Sequence, residues 1–178
     1  IENAAKAAGF PVGPLALLDE VTMELPVKIL EDAAGEVGNT YTIEKGMAVL
    51  KRMIALGRGS RKAGGGFYTY PEGAPKHLWK GLAEEFPVAA AQPDQSELKA
   101  RLLYAQAIET ARCFEEGVIE TAEDGDLGAI YGWGFPAWTG GTLSYIDTVG
   151  IAAFVAECDR LAQLYGTRFA PSAWLRAK

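Results

Sequence analysis

A turn-and-helix pattern occurs twice in this chain, the second copy about 128 residues after the first, and that duplication limits the folds open to it. The first copy runs Gly9-Phe10-Pro11-Val12-Gly13-Pro14-Leu15 and ends in Asp19-x-Val21. The second runs Gly134-Phe135-Pro136 through Gly140-Gly141-Thr142-Leu143 and ends in Asp147-x-Val149, with three extra residues in its loop. In each, a Gly-Phe-Pro turn leads to a helix start at Gly13-Pro14 or Gly141-Thr142. Proline suits a first helical position because its missing N–H needs no partner there.

Helical periodicity continues after both turns. Met23, Val27, Leu30, Ala34 and Val37 fall on one face after the first, with Pro26 tolerable within the opening turn. Ile151, Phe154, Val155, Cys158, Leu161, Ala162 and Tyr165 do so after the second, with Gly166 as a stop. A long helix carrying Leu103, Ala107, Ala111, Phe114 and Val118 precedes the second turn, entered at Asp94 or Ser96. Only about eight residues precede the first turn, so equivalence of the copies implies an N-terminal truncation of roughly 25 to 30 residues. Between the copies, a helix over Tyr41–Leu56 is expected, then a glycine-rich turn from Gly57 to Gly66, an extended Phe67-Tyr68-Thr69-Tyr70, and a connector holding a short helix around His77–Phe86. The expected organisation is a first repeat over 1–70, a connector over 71–95 and a second repeat over 96–178.

Composition excludes several functions. A net charge of −6 opposes a general nucleic-acid binder, which needs a dominant positive field. The longest uncharged run, Leu127–Ile146, contains five glycines and Pro136, which oppose a lipid-exposed helix. Cys113 and Cys158, 45 residues apart on helical faces, read as buried thiols without a metal-ligand spacing.

Local motifs point away from chemistry carried by this chain. Gly57 to Gly66 fits neither the dinucleotide nor the P-loop fingerprint; it follows a helix and its glycines have the wrong spacing. Arg58, Arg61 and Lys62 read mainly as solvated charges on a structural turn, with contact to a phosphate or an acidic surface as the sharper alternative. Glu123-Asp124-Gly125-Asp126 lacks the ligand order of a calcium loop, and helix initiation after Thr121 or Asp124 explains its acids. His77 reads as exposed and without catalytic partners. The aromatic cluster Tyr131, Trp133, Phe135, Trp138 and Tyr145 reads as core in preference to a binding surface.

Three segments carry a resemblance: Ala7 to Val21, Gly57 to Tyr70, and Gly134 through Asp147. In this order they are similar to the C-terminal part of the 3-hydroxyacyl-CoA dehydrogenases, in the tandem form found in multifunctional fatty-acid β-oxidation enzymes that also carry an enoyl-CoA hydratase. The resemblance implies an all-α fold like the C-terminal domain of 6-phosphogluconate dehydrogenase, with two related helical domains paired about a pseudo-twofold axis. It implies a parent enzyme that transfers hydride from an L-3-hydroxyacyl-CoA to NAD, with NAD and the catalytic His-Glu pair on an upstream Rossmann domain, so the fragment alone should be inactive. A family Asn that orients the substrate belongs to the missing opening helix. Thr142 departs from the family's frequent Gly-Gly-Pro.

On that basis no catalytic or metal residue is expected here. Substrate contact is expected in the first copy: Phe10, Pro11, Val12 and Pro14 as an apolar pocket wall, and Arg61 and Lys62 toward CoA phosphates or the NAD domain. Implied partners are acyl-CoA, the upstream Rossmann domain, and a thiolase subunit or a second copy. The implied compartment is the bacterial cytoplasm, with the peroxisome as the alternative. The rival class is a noncatalytic helical dimerisation module.

Overall fold

The computed structural model describes residues 1–33 and 44–178. The described residues are mostly helical and form two compact units, one comprising Glu2 with Val12–Gln92 and the other Ile1, Asn3–Pro11 and Pro93–Lys178.

In the unit built on 12–92, Pro14 opens α2 (Pro14–Val21) at its first turn, followed by α3 (Glu24–Ala33) and α4 (Glu44–Ala55). Ala34, Val37 and Tyr41 to Ile43, which the periodicity places on helices, lie outside the described residues. Beyond α4 the glycines turn the chain through a 3₁₀ turn at Arg61–Ala63, whose Ser60 hydroxyl accepts from Ala63 N–H at 3.1 Å. β1 (Tyr68–Thr69) then pairs antiparallel with β2 (His77–Leu78), in the register Tyr68 to Leu78 and Thr69 to His77. The helix expected from His77 is therefore confined to α5 (Leu82–Glu85). Trp79 N–H donating to Phe67 O at 2.8 Å continues the pairing, and Gly81 sits at the helix entry. Met23, Leu50, Met53 and Phe67 form the core, with Leu15, Leu18 and Trp79 packed against it.

The other unit contains α1 (Glu2–Ala8) apart from Glu2, α6 (Gln95–Glu115), α7 (Ala122–Trp133), α8 (Thr142–Val149), α9 (Ile151–Tyr165) and α10 (Ala173–Arg176). Thr121 caps α7 by accepting from Asp124 N–H at 3.1 Å, which accounts for the acidic run. Leu103, Ala107 and Ala111 of α6 are buried as their spacing predicts. Val118 is not; α6 ends at Glu115, Gly117 turns the chain at φ 73°, and Val118 is exposed. Tyr104 stacks on Phe154 at 4.4 Å and meets Tyr145 edge-on at 5.9 Å.

The aromatic cluster divides. Phe135 is buried and Tyr145 partly so, whereas Tyr131, Trp133 and Trp138 are exposed at 83%, 52% and 64%. Their polar edges explain two of these: Trp133 Nε1 donates to Gln106 and Trp138 Nε1 to Ala8 O, so each ring lies on the surface with one edge anchored. The cysteines divide too. Cys158 is fully buried, and loss of solvent pushes its thiol up to about 12, whereas Cys113 is half-buried.

The copies match beyond their shared letters. α1 corresponds to α7 with one residue added before the turn: Phe10 N–H returns to Ala5 O and Phe135 N–H, one residue farther back, to Ala129 O, and both alanines are buried. The extra loop residues of the second copy form a 3₁₀ turn at Ala137–Thr139. At two further positions one copy departs from this template where the other keeps it. At the first position of its helix α8 has Thr142 where α2 has Pro14; the Thr142 hydroxyl is buried with no hydrogen-bond partner among the described residues. After its helix α2 has Thr22 at φ 70° and ψ 139°, where Gly150 follows α8 at φ 86° and ψ 128°. A β-branched residue there stores about 1–3 kcal/mol of backbone strain, more than the roughly 0.5–1 kcal/mol that glycine loses in chain entropy. Thr22→Gly and Thr142→Pro should therefore each stabilise the protein by about 1 kcal/mol, seen as Tm increases of about 2–4 °C in thermal unfolding; a decrease in either would refute that equivalence.

Candidate functional site

Two carboxylates organise the 12–92 unit. Glu2 accepts from Leu15 N–H at 2.6 Å, placing an anion on the N-terminus of α2, where the unpaired N–H groups and helix dipole favour it. Its other oxygen accepts from the Tyr68 hydroxyl at 2.9 Å. Asp126 of α7 does the same for α8, accepting from Leu143 N–H at 2.7 Å and from the Ser144 N–H and hydroxyl. Glycine makes both approaches feasible. A Cβ on Gly13 or Gly141 would occupy the space of the carboxylate.

Asp19, wholly inaccessible to solvent, takes three donors from the aromatic segment: Phe67 N–H at 2.7 Å, Tyr68 N–H at 2.9 Å and the Tyr70 hydroxyl at 2.9 Å. Arg58 binds the same segment from its other side, donating to Gly66 O at 2.8 Å and Tyr68 O at 2.9 Å while its guanidinium lies 4.5 Å from the Trp79 ring centre. The Gly-rich stretch is thus a clasp filled by the protein's own groups. Burial, the bond to Glu2 and the charges of Glu2 and Asp19 push the Tyr68 hydroxyl up to about 12, and burial with the bond to Asp19 raises Tyr70 as well. Both phenols are neutral donors at pH 7. Their arrangement suits holding and binding, not proton transfer.

Beside the clasp lies a cleft of about 630 Å³, lined by Glu20, Arg61, Tyr70, Glu72 and Lys76 among others. Arg61 reaches it, pairing with Glu20 at 2.9 Å and lying 5.2 Å from the Tyr70 ring centre. Lys76 lies 4.9 Å from the ring centre of Tyr68. Lys62 is exposed and does not line the cleft. Val12 is exposed and Pro14 half-buried in the same unit. Phe10 and Pro11 belong to the other unit, where Phe10 packs edge-on against Phe135 at 6.0 Å and Pro11 lies over Gly134. Sequence reasoning missed Glu2, Lys76 and the role of Asp19; the recurrence of Asp19 and Asp147 at one register of both copies was the available signal for the last.

Because the Tyr68 value lies above the ordinary tyrosine value near 10, its stabilising bond is complete below about pH 10 and is lost as the pH rises to about 12. Stability should fall across that interval, and the fall should be shallower in Tyr68→Phe, as read by urea unfolding at stepped pH. Identical slopes in the two proteins would contradict the assignment.

Comparison with known proteins places these features in a family context. Residues 1–70 match the family model for the 3-hydroxyacyl-CoA dehydrogenase C-terminal domain. The chain is 36% identical over 172 residues, 96% of its length, to the fatty acid oxidation complex subunit alpha of Vibrio vulnificus, and 37% identical over 182 residues, 99% of its length, to that of Shewanella amazonensis. It spans about a quarter of these relatives, 24% and 25% of their lengths. Among solved structures it resembles the dehydrogenase part of multifunctional enzyme 1 from C. elegans and 3-hydroxybutyryl-CoA dehydrogenase from Escherichia coli, each with a TM-score of 0.65 at 17% identity over 99% of this chain, covering 41% and 53% of those chains. At that identity the structural likeness establishes the fold.

Proposed function

We propose that this chain, whose residues 1–70 match the 3-hydroxyacyl-CoA dehydrogenase C-terminal domain, is the substrate-closing and assembly region of an NAD-dependent L-3-hydroxyacyl-CoA dehydrogenase of fatty-acid β-oxidation. The family match carries the reading. Identity of 36–37% over nearly the whole chain to fatty acid oxidation complex alpha subunits supports a multifunctional parent.

In this reading the two repeats, 1–70 and 96–178 with a connector over 71–95, supply walls and surfaces while the reacting groups lie on other domains. NAD supplies the hydride acceptor of the parent reaction. The residues here do not fit a dinucleotide: Gly57 to Gly66 follows a helix, and its neighbours are engaged by Arg58 and Asp19, so no cofactor step is assigned to them. Phe10, Pro11, Val12 and Pro14 contribute an apolar, conformationally stiff wall for the acyl chain. Arg61 and Lys62 meet the CoA phosphates or the cofactor domain. A thiolase subunit or a second copy is the assembly partner, and the compartment is the bacterial cytoplasm. No helix of the described residues is long and apolar enough to cross a membrane.

Two assays test the proposal. The isolated chain with NAD and a 3-hydroxyacyl-CoA should form no NADH, and sustained turnover would overturn it. In the full-length polypeptide, replacing Arg61 and Lys62 together by alanine should raise KM for the acyl-CoA about 2- to 10-fold with kcat unchanged, the size expected for exposed ionic contacts. An unchanged KM would remove both residues from the substrate site.

A further inference from the structure

The cleft beside the clasp brings two cations to one aromatic ring: Arg61 lies 5.2 Å and Lys76 5.9 Å from the ring centre of Tyr70. Each arrives by its own route. Arg61 opens the 3₁₀ turn within the glycine-rich stretch, whereas the register of Thr69 with His77 sets Lys76, one residue before β2, beside Tyr70, one residue after β1. The amides of the turn are already engaged, since Gly64 N–H donates to Arg61 O at 3.0 Å, Gly65 N–H to Ser60 O at 3.1 Å and Gly66 N–H to Tyr68 O at 3.0 Å. An anion entering here is therefore met by side chains, not by a backbone cradle of the kind that holds phosphates in other glycine-rich loops. Lys76 has no ion-pair partner among the described residues. The side chains of the Arg61–Glu20 pair are 59% and 47% exposed, so exchanging Glu20 for another anion loses little.

The cleft is not purely cationic. Glu20 and Glu72 line it with Arg61 and Lys76, which balances its charge and supplies acceptors for hydroxyl and amine hydrogens, and Tyr70 and Pro71 add an apolar face. At about 630 Å³ it has the size of a small-molecule site. Such a set of groups suits a phosphorylated nucleoside, which carries an anion, a flat base and hydroxyl and amine donors. A bare phosphate offers only the anion, and the two carboxylates repel it. We propose that this cleft receives the adenosine 3′-phosphate end of the acyl-CoA, with Lys76 and Arg61 on the phosphate, Tyr70 and Pro71 against the adenine, and Glu20 and Glu72 accepting from the ribose hydroxyl and the adenine amine. The inference rests on the proposed function for the source of its ligand. It gives the second phosphate contact to Lys76 in place of Lys62, which does not line the cleft.

Two measurements test the site. Adenosine 3′,5′-bisphosphate titrated by calorimetry into the chain of residues 1–178 should bind saturably, about fivefold more weakly in Lys76→Gln and with near-parental affinity in Lys76→Arg. Lys76 is exposed, so neither variant disturbs the fold. Inorganic phosphate at equal concentration should not displace the bisphosphate. Absence of saturation at millimolar bisphosphate, affinity unchanged in Lys76→Gln, or equal competition by inorganic phosphate would overturn the site. In the full-length polypeptide, KM should be higher for a 3-hydroxyacyl-CoA lacking the 3′-phosphate than for the complete substrate, and Lys76→Gln should close that gap with kcat unchanged. A gap that persists in Lys76→Gln while turnover is normal would remove the cleft from acyl-CoA binding and leave the proposed function standing. Bisphosphate bound through Lys76 by a full-length polypeptide that does not oxidise 3-hydroxyacyl-CoA would overturn the proposed function and leave the nucleotide site standing.

Discussion

A carboxyl group wholly withdrawn from water is costly unless donors meet it, and Asp19 is met by three, all from residues 67–70. That requirement joins stretches 48 to 51 residues apart in sequence. It sets Phe67 into the core with Met23 and Met53, and it places Tyr68 where its hydroxyl reaches Glu2. Glu2 in turn satisfies the N-terminus of α2, the helix on which Asp19 stands. Each anion is held by groups that the other helps to position, so the turn, helix and aromatic segment form one cooperative polar network.

The two copies keep one of these devices and diverge at the other. Glu2 and Asp126 both bring a carboxylate from a preceding helix to the amides opening the next one, across a glycine that leaves room for it. Among the described residues the buried aspartate is used in the first copy alone, where Phe67, Tyr68 and Tyr70 supply its donors. Beside its clasp the first copy carries a cleft with Arg61, Tyr70 and Lys76.

How much of this could be read from sequence depended on range. Helix starts at Pro14 and Thr142, the stop at Gly166 and the buried faces of α6 and α9 follow from signals a few residues apart, and periodicity exposes them. The contacts of Glu2, Asp19 and Arg58 join residues from 8 to 66 positions apart, for which a single sequence carries no spacing rule. The two-residue strands at Tyr68 and His77 are too short to show alternation, so a helix beginning at His77 was the natural misreading. Hydrophobicity also cannot tell a buried ring from one anchored by its polar edge, which is why Trp133 and Trp138 were expected in the core. For the candidate site, Arg61 was legible as a cation on a glycine turn, whereas its neighbours Tyr70 and Lys76 come together only through the β1–β2 pairing.

The account rests on Asp19 as the shared acceptor, and equilibrium urea unfolding of Asp19→Ala, combined with amide hydrogen exchange at Phe67 and Tyr68, tests it most directly. One buried and two partly buried donors left without a partner should cost about 3 kcal/mol and remove protection at both amides. A loss below about 0.5 kcal/mol with protection intact would contradict it.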